Sequence, residues 1–379
     1  MSIPGYRLSD ESAITSSAAQ QAGNEIAQLP PGARKRPPAD EVASTIRQLS
    51  ILMRAGVPLV ESLKGLAEQA KSPALRASLE EVALDVSQGS TLSETFSKFP
   101  SVFPKLAVEM ARIAEAGGNL AQSLERLADH MESGAEISRK VKSAMAYPIV
   151  VMCISVVTVL VMVTFILPRF MGLFSQMHVK LPLTTKILMD LSHALTTYWY
   201  LFLGATVALA FAGKNYAASP GGRRTVDTLL LKLPLVGDIV YKIVLSRVVA
   251  SMATLLSSGV PMVQTLETAA SAANNEYVKE ALLRASSEVA QGNATSQALR
   301  ATGVFPPLVL QMVTSGEKTG ELPAMLDYVC AMYARDTDAK VKSLTSIIEP
   351  VMIVVLGVIV GFIAMSVIVP IYSLVGGVK

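Results

Sequence analysis

Length, composition and charge already exclude several classes of protein. The chain has 379 residues, of which 51% are hydrophobic and 17% charged, and 33 basic against 30 acidic side chains give a formal net charge of +3. So apolar a chain is not largely disordered, since disordered chains are polar and charge-rich, and it is unlike a purely soluble enzyme. A net charge near zero, with no long basic run, gives no basis for nucleic-acid binding.

Residues 1–40 differ from the rest of the chain in composition. They are rich in Ser, Ala, Gln and Pro and end in the run LPPGARKRPPAD. Such a segment has too few apolar side chains to form a core, so we predict a flexible N-terminal arm, with a docking tail for a partner as the alternative. The first residues contain no apolar run of the kind found in a cleaved signal peptide, so none is expected.

Residues 41–147 carry the pattern of a helical domain. Apolar side chains recur at helical spacing from Ile46 to Leu66, and Gly56 and Pro58 break the pattern in the middle. Glycine suits the left-handed residue after a helix and proline suits the first turn of the next, so the two predict a hairpin of helices. A DNA-binding interpretation is weaker, because no basic recognition helix follows.

The chain then repeats itself. The segment LSILMRAGVPLVESLKGLA at 49–67 matches MATLLSSGVPMVQTLETAA at 252–270 with an offset of 203 residues, which becomes 202 after one deletion. The matched positions include Gly56 and Gly259, Pro58 and Pro261, Glu115 and Glu317, and Gly118 and Gly320. A duplicated sequence indicates a duplicated fold, and the absence of period-2 alternation predicts an all-α class with five or six helices per repeat.

Three windows without acidic or basic side chains are each long enough to cross a bilayer. They run from Ser143 to Pro168, from Leu191 to Gly213 and from Pro350 to Val378. We therefore predict an all-α membrane protein with three transmembrane helices and two homologous cytoplasmic helical-bundle domains. The predicted segments are a first domain at 41–147, spans at 148–168, 191–213 and 350–372, a periplasmic loop at 169–190, a second domain at 214–349 and a periplasmic tail at 373–379.

Basic residues flank the spans on the side of the helical domains. Arg139, Lys140 and Lys142 precede the first span, and Lys340 and Lys342 precede the third. Segments rich in Lys and Arg stay on the cytoplasmic side of a membrane. We therefore predict that the N-terminus and both helical domains are cytoplasmic and that the C-terminus is periplasmic.

The sequence offers no recognisable active site. The three histidines fall at no metal-binding spacing, and neither a phosphate-binding loop nor a nucleophile elbow occurs, so we predict no catalytic residue, no cofactor and no metal. Glu115 and Glu317 are interpreted as capping or surface carboxylates, with coordination of a divalent cation as the alternative. Gly316 and Gly320 are expected to allow a close helix approach or a left-handed cap, and Gly118 repeats Gly320.

The third span contains the remaining residues of interest. Glu349 lies directly before Pro350, where it is either an interfacial carboxylate or a group that faces the helix bundle and fixes helix register. Gly357 and Gly361 form a Gly-x-x-x-Gly spacing, which allows two membrane helices to approach closely, either between copies or within one chain.

The duplicated hairpins, the pair AEAGGNL and SGEKTGEL, and the final EPVMIVVLGVIVGFIAMSVIVPIYSL together resemble a known family. It is the GspF/PilC family of inner-membrane platform proteins of type II secretion systems and type IV pili, and the resemblance covers about residues 41–375. It implies a non-enzymatic assembly platform that couples a cytoplasmic hexameric ATPase to pilin or pseudopilin insertion and fibre assembly. It also implies contacts with inner-membrane alignment proteins of the same machine and with the lipid bilayer, and self-association as a dimer or higher oligomer.

Two other classes of function predict features that the sequence lacks. A duplicated-unit transporter or channel, the alternative to a platform, would carry ionisable or broken helices at the midplane of the membrane. A membrane-anchored enzyme would bring a convergent polar cluster together in one domain. Many members of the resembled family have a longer N-terminal region than the 1–40 arm, and the residues leave open whether a secretion system or a pilus is served.

Overall fold

The computed structural model describes residues 36–166, 168–169, 190, 192–194, 196–232 and 236–376. Over these residues the chain is helical, with turns between the helices and no strand, which confirms the all-α prediction. The predicted arm before residue 36 and nearly all of the predicted loop at 169–190 lie outside the described residues.

Each repeat contributes six described helices in the same order. In the first repeat they are α1 (Ala39–Arg54), α2 (Leu59–Gln69), α3 (Pro73–Ser87), α4 (Leu92–Lys98), α5 (Lys105–Gly117) and α6 (Leu120–Val161). Between the repeats lie α7 (Trp199–Ala218) and α8 (Pro220–Lys232). In the second repeat they are α9 (Val236–Ser257), α10 (Met262–Ala272), α11 (Glu276–Ala290), α12 (Thr295–Ala301), α13 (Pro307–Thr319) and α14 (Leu322–Gly376).

The helices of the first repeat end at local signals in the sequence. Gly56 has a φ of +82° between α1 and α2, and Pro58 directly precedes α2. Thr91 and Glu94 form a capping box at the start of α4, in which each side chain accepts a hydrogen bond from the other residue's backbone N–H. Gly118 ends α5 in the left-handed conformation. The breaks therefore fall where the glycine and proline clusters of the sequence predict them.

The chain divides into two compact units. One unit joins Met1–Arg139 with Asp227–Thr337 and contains both helical bundles, and the other joins Lys140–Val226 with Asp338–Lys379. Each bundle has its own core of buried apolar side chains. In the first core Phe96 and Phe103 stack, with ring centroids 3.9 Å apart. Because each fully buried Leu or Phe contributes roughly 1.5–3 kcal/mol, these cores stabilise the bundles.

Two long helices run on without a break into the apolar windows. α6 passes through Pro148, and α14 passes through Pro350. The prolines at which the sequence analysis placed the start of the first and third spans therefore lie inside helices. A proline removes one backbone hydrogen bond, a loss that is tolerated in membrane helices when neighbouring groups satisfy the freed carbonyl.

Three of the described helical segments are long and apolar enough to cross a membrane. Leu120–Ile166 and Leu322–Ser366 contain the predicted first and third spans, and only 6% of their most apolar stretch is buried in each case. Gly237–Ser257 differs, because 56% of its stretch is buried and most of its buried apolar side chains belong to the core of the second bundle. We therefore assign Gly237–Ser257 to that core, since a helix that is apolar on most sides is suited to a protein interior as well as to lipid.

The predicted second span at 191–213 overlaps α7. This helix presents large apolar side chains to its surroundings, among them Leu201, Val207, Leu209 and Phe211. The most exposed is Leu209, at 73%. An exposed apolar surface of this kind is stable in contact with lipid but not with water, so the assignment of the second span to this segment stays a prediction with local support.

A π-helical turn at Met162–Ile166 extends α6. Such turns disturb the regular backbone hydrogen bonding of an α-helix. The hydroxyl of Ser192 donates to the carbonyl oxygen of Val163 at 2.6 Å, and both residues are buried. The turn is therefore tied to the segment just before α7.

Candidate functional sites: capping carboxylates, the repeat interface and the membrane boundary

Glu115 and Glu317 each lie at the N-terminus of the fourth helix of their own repeat. The carboxylate of Glu115 accepts hydrogen bonds from the backbone N–H of Leu92, from the N–H of Ser93 at 3.3 Å and from the Ser93 hydroxyl at 2.7 Å. Glu317 accepts one from the N–H of Ser296 at 3.1 Å. A carboxylate is favourable here, because the first N–H groups of a helix lack partners within the helix and carry positive partial charge.

Coordination of a cation by these carboxylates stays an untested alternative. Both oxygens of Glu115 and one oxygen of Glu317 accept hydrogen bonds at a helix N-terminus, and no group of three or more His, Cys, Asp or Glu suited to a metal ion occurs among the described residues. The two glutamates therefore position a short helix within each bundle.

The glycines singled out in the sequence fall into two groups, those with a left-handed backbone and one that allows a close helix contact. Gly259 has a φ of +87° just before Pro261, as Gly56 does before Pro58, and Gly320 ends α13 with a φ of +77°. Gly316 is buried within α13 for a different reason. A Cβ atom placed on it would lie 2.6 Å from the Cα of Leu322, so the close approach of α13 and α14 requires the glycine.

Side chains of α5 and α6 contact α9 and α10, and this contact is termed the repeat interface. The amide nitrogen of Gln264 donates to the carboxylate of Glu109 at 2.6 Å. The guanidinium of Arg126 donates to the carbonyl oxygen of Ser257. Glu109 is only 5% exposed, and a buried carboxylate is costly without hydrogen bonds, so the Gln264 contact stabilises the interface.

Apolar side chains complete the repeat interface. Leu255 and Val260 of the second repeat are 0% and 3% exposed and belong to the core of the first bundle. The two bundles therefore share a continuous apolar contact.

His130 is the titratable group at the centre of this interface. Its Nε2 lies 3.5 Å from the hydroxyl of Ser251, while its buried Nδ1 has no hydrogen-bond partner among the described residues. Burial, assisted by the positive charge of Arg247, lowers the pKa of His130 to about 4. Burial also lowers the pKa of Arg247. The imidazole is therefore neutral at neutral pH and packs as a mostly apolar ring.

Ion pairs join α1 to α6 at the edge of the first bundle. Arg47 donates to both carboxylate oxygens of Glu132, at 3.0 and 2.7 Å, and also to Asp129. Arg54 pairs with Glu125. The hydrogen bonds from Arg47 hold the pKa of Glu132 below its usual value, and those from Arg54 do the same for Glu125. Bidentate contacts of this kind fix the angle between two helices better than single ones do.

A second polar cluster lies where α6 and α14 approach the apolar windows, and is termed the membrane boundary. The hydroxyl of Tyr147 donates to the carboxylate of Glu349 at 3.4 Å. Asp338 pairs with Lys342 at 2.8 Å and with Lys140 at 3.7 Å. The hydrogen bond from Lys342 and the charge of both lysines lower the pKa of Asp338. Glu349 is therefore an exposed carboxylate that contacts the neighbouring helix, and its position at the membrane interface stays a prediction.

Gly357 and Gly361 lie farther along α14 and are exposed. A Cβ placed on either would meet no other atom within 4 Å, so no other described part of the chain packs against this Gly-x-x-x-Gly face. Pro350 is likewise exposed. A contact between copies through the two glycines stays a prediction.

Sequence reasoning did not find the repeat interface. It did not single out Glu109 or Arg126 and considered His130 only as a metal ligand, and none of them occurs in a recognisable motif. The available signal was the difference between the repeats, because these positions hold Gln311, Tyr328 and Met332 in the second copy. Matched positions that differ so strongly in polarity mark a surface with different surroundings in the two repeats.

Fold and sites together define a duplicated helical membrane protein. Comparison with known proteins extends this description. The model of the family "Type II secretion system (T2SS), protein F" matches twice, at residues 45–168 and at residues 248–370, one match in each repeat. The chain belongs to this family.

Similar proteins include relatives named for type IV pilus assembly and relatives named for type II secretion. The chain is 36% identical to a type IV pilus assembly protein PilC of Thermus thermophilus, over 91% of this chain and 85% of that protein. It is 34% identical to the type IV pilus assembly protein PilC of Myxococcus xanthus, over 88% and 80% of the two chains. It is 31% identical to a type II secretion system protein F of Vibrio cholerae, over 88% and 82%. The resemblance found from the sequence motifs is confirmed.

Proposed function

We propose that the chain is a non-enzymatic platform of the bacterial inner membrane that takes part in assembling a type IV pilus or a type II secretion fibre. In this role it couples a cytoplasmic hexameric ATPase to the insertion of pilin or pseudopilin subunits. The observation that carries the proposal is the match of both repeats to one family, with relatives named for pilus assembly and for secretion over most of their length.

The construction of the long helices supports a coupling role. α6 and α14 each begin beside a helical bundle and continue unbroken into an apolar window. An α-helix rises 1.5 Å per residue, so each of these helices is a continuous connection between a bundle and an apolar window. The ion pairs of Arg47 and Arg54 brace α6 against α1 at the bundle end.

The proposed topology places both bundles in the cytoplasm and the C-terminus in the periplasm. The basic residues before the first and third apolar windows support it. The proposed partners are the hexameric ATPase on the cytoplasmic side, pilin or pseudopilin subunits and alignment proteins in the membrane, the lipids themselves, and further copies of this chain.

Coupling to the ATPase is tested with purified proteins. The full chain in detergent is mixed with the pilus or secretion ATPase encoded in the same genome, and ATP hydrolysis and co-purification are measured. We expect no hydrolysis by the chain alone and faster hydrolysis, or a stable complex, with the ATPase. Hydrolysis by the chain alone, or neither effect with any such ATPase, contradicts the proposal.

Topology is tested by labelling single cysteines in intact spheroplasts with a membrane-impermeant maleimide, in a chain without Cys153 and Cys330. We expect Lys180→Cys, in the predicted periplasmic loop, to react. Glu68→Cys, on an exposed position of the first bundle, should react only after the membrane is permeabilised. The opposite pattern overturns the orientation.

A further inference from the structure

The repeat interface uses a different surface of each repeat. The first repeat contributes face A, defined by Glu109, Arg126 and His130, and the second contributes face B, defined by Ser251, Ser257 and Gln264. Because the repeats have the same fold, each also has the other face. Face A of the second repeat consists of Gln311, Tyr328 and Met332, and face B of the first repeat consists of Gln48, Arg54 and Glu61.

The described part of the chain leaves these two equivalent faces uncovered. Ser251 on the covered face B is 0% exposed, whereas its equivalent, Gln48, is exposed. Next to Gln48, Ile51 is 55% exposed, and on the other uncovered face Tyr328 and Met332 are 62% and 42% exposed. Large apolar side chains that stand in water on a helical bundle mark a surface suited to a partner.

Two open grooves lie on the uncovered face A. Tyr328, Met332 and Arg335 line a groove of about 460 Å³ along α14. Leu310 and Gln311 line a second groove of about 360 Å³ on α13. The helices that carry these grooves, α13 and α14, correspond to α5 and α6, which hold the covered face A of the first repeat.

A polar pair of the repeat interface recurs on the uncovered faces with its two members exchanged. Within the chain, Gln264 of face B donates to Glu109 of face A. On the uncovered faces, the position of Glu109 holds Gln311 and the position of Gln264 holds Glu61. Each combination joins one carboxylate to one amide, so the same hydrogen bond can form with donor and acceptor reversed. Two carboxylates at these positions would repel each other instead.

We propose that face A of the second repeat binds face B of the first repeat in a second copy of this chain. The contact repeats, between chains, the contact that already joins the two repeats within one chain. It rests on the proposed self-association of the platform and supplies its residues. Because each copy offers both uncovered faces, such contacts are heterologous, and they form a ring where the rotation between successive copies closes.

The proposal is tested by cross-linking full-length chains in membranes. Gln48 and Met332 are the equivalents of Ser251 and His130, so Gln48→Cys and Met332→Cys are placed in two chains with different tags, each lacking Cys153 and Cys330. After treatment with a short bifunctional maleimide, we expect a product that carries both tags. Chains with only Gln48→Cys, or only Met332→Cys, should give no cross-linked product when expressed alone.

A matched pair within the chain serves as the control. A chain with both His130→Cys and Ser251→Cys should form an internal cross-link and keep the mass of a monomer. This result would show that the reagent detects the geometry of the repeat interface. The proposal is overturned if this control links and the Gln48→Cys and Met332→Cys chains do not. It is also overturned if either single-cysteine chain links to its own copy, if both cysteines in one chain link internally, or if they link only to another protein.

The exchanged Glu–Gln pair gives an independent test by charge. Gln311→Glu places a carboxylate opposite Glu61, and we expect the yield of the product with both tags to fall several-fold. Adding Glu61→Gln should restore the yield, because the pair again joins one carboxylate to one amide. Ser287→Glu, which adds the same charge on exposed α11, should leave the yield unchanged. An undiminished yield with Gln311→Glu, or no restoration, contradicts the proposed register. Both measurements detect contact between copies and need no ATPase. A negative result would therefore overturn this contact without bearing on the proposed coupling to the ATPase.

Discussion

Glu115 and Glu317 occupy equivalent positions in the two repeats but accept different sets of hydrogen bonds. Glu115 takes two backbone N–H groups and a hydroxyl at the start of α4, and Glu317 takes one N–H at the start of α12. The α4 helix also has its own capping box, so its N-terminus is held from two sides. The first bundle therefore depends more on this carboxylate than the second does.

Replacing the two glutamates separately tests this difference. We expect Glu115→Ala to lower the free energy of unfolding by about 2 kcal/mol, the range for losing a charged cap and its hydrogen bonds. Glu317→Ala should cost about half as much, because only one bond is lost. Denaturant unfolding of the purified full chain in detergent measures both, with exposed Glu68→Ala as a neutral control. Equal losses for the two glutamates would contradict the ranking.

Gly316 and Gly65 both lie in helices, but the space around Gly316 is filled and the space around Gly65 is open. A Cβ at Gly316 meets Leu322 at 2.6 Å, whereas one at Gly65 meets no atom within 4 Å. Gly316→Ala should therefore destabilise the chain by about 1–3 kcal/mol through overpacking. Gly65→Ala should stabilise it by about 0.5–1 kcal/mol, since alanine suits a helix better than glycine. Thermal unfolding of the two variants should shift in opposite directions, and a parallel shift would show that α13 and α14 can move apart at little cost.

At the scale of helices, much of the fold was predictable because each break has a local cause. The glycine and proline positions between α1 and α2 and between α9 and α10 set the turns whatever the rest of the chain does. The continuation of α6 through Pro148 was not predictable in the same way. A proline ends a helix in water, but within an apolar helix the neighbouring turns hold it together, so the outcome depends on the surroundings and not on the residue.

The turn between α9 and α10 provides a test of this local control. Gly259 has a φ of +87° with open space around it, so substitution there acts through backbone strain alone. Gly259→Val should lower the free energy of unfolding by about 1–2 kcal/mol, because a β-branched residue disfavours the left-handed region. Gly259→Asn should cost less, since asparagine tolerates that region. Both are measured by denaturant unfolding, and equal losses for Val and Asn would point to a steric cause.

At the scale of the whole chain, the repeat interface is the part that sequence reasoning could not reach. Its polar members, Glu109 and His130, belong to no motif, and their burial results from the packing of one repeat against the other. Such packing depends on where distant helices meet, which local patterns do not encode. The internal duplication predicted two bundles, but not which face of one bundle contacts the other.

The pKa of His130 connects this interface to pH. Its ordinary value is 6.5, but burial lowers it to about 4 in the folded chain. Between about pH 6.5 and about pH 4 the unfolded chain therefore binds a proton that the folded chain does not, so acidification through this range favours unfolding. We expect the thermal midpoint to fall over this range in the natural chain and to fall less in His130→Gln, which does not titrate. If the thermal midpoint falls equally with pH in both chains, protonation of His130 does not destabilise the folded state.

The contact between Tyr147 and Glu349 joins positions that are exactly one repeat apart, 202 residues. In a dimer of two identical single-repeat subunits, this position of one subunit would face the same residue of the other subunit. Two glutamates would then repel and two tyrosines would offer no carboxylate, so a matched donor and acceptor could not arise by a single substitution. Joining both copies in one chain lifts that restriction. Joining the repeats in one chain thus allows the membrane boundary to be asymmetric. A partner that binds there contacts a tyrosine on one long helix and a glutamate on the other.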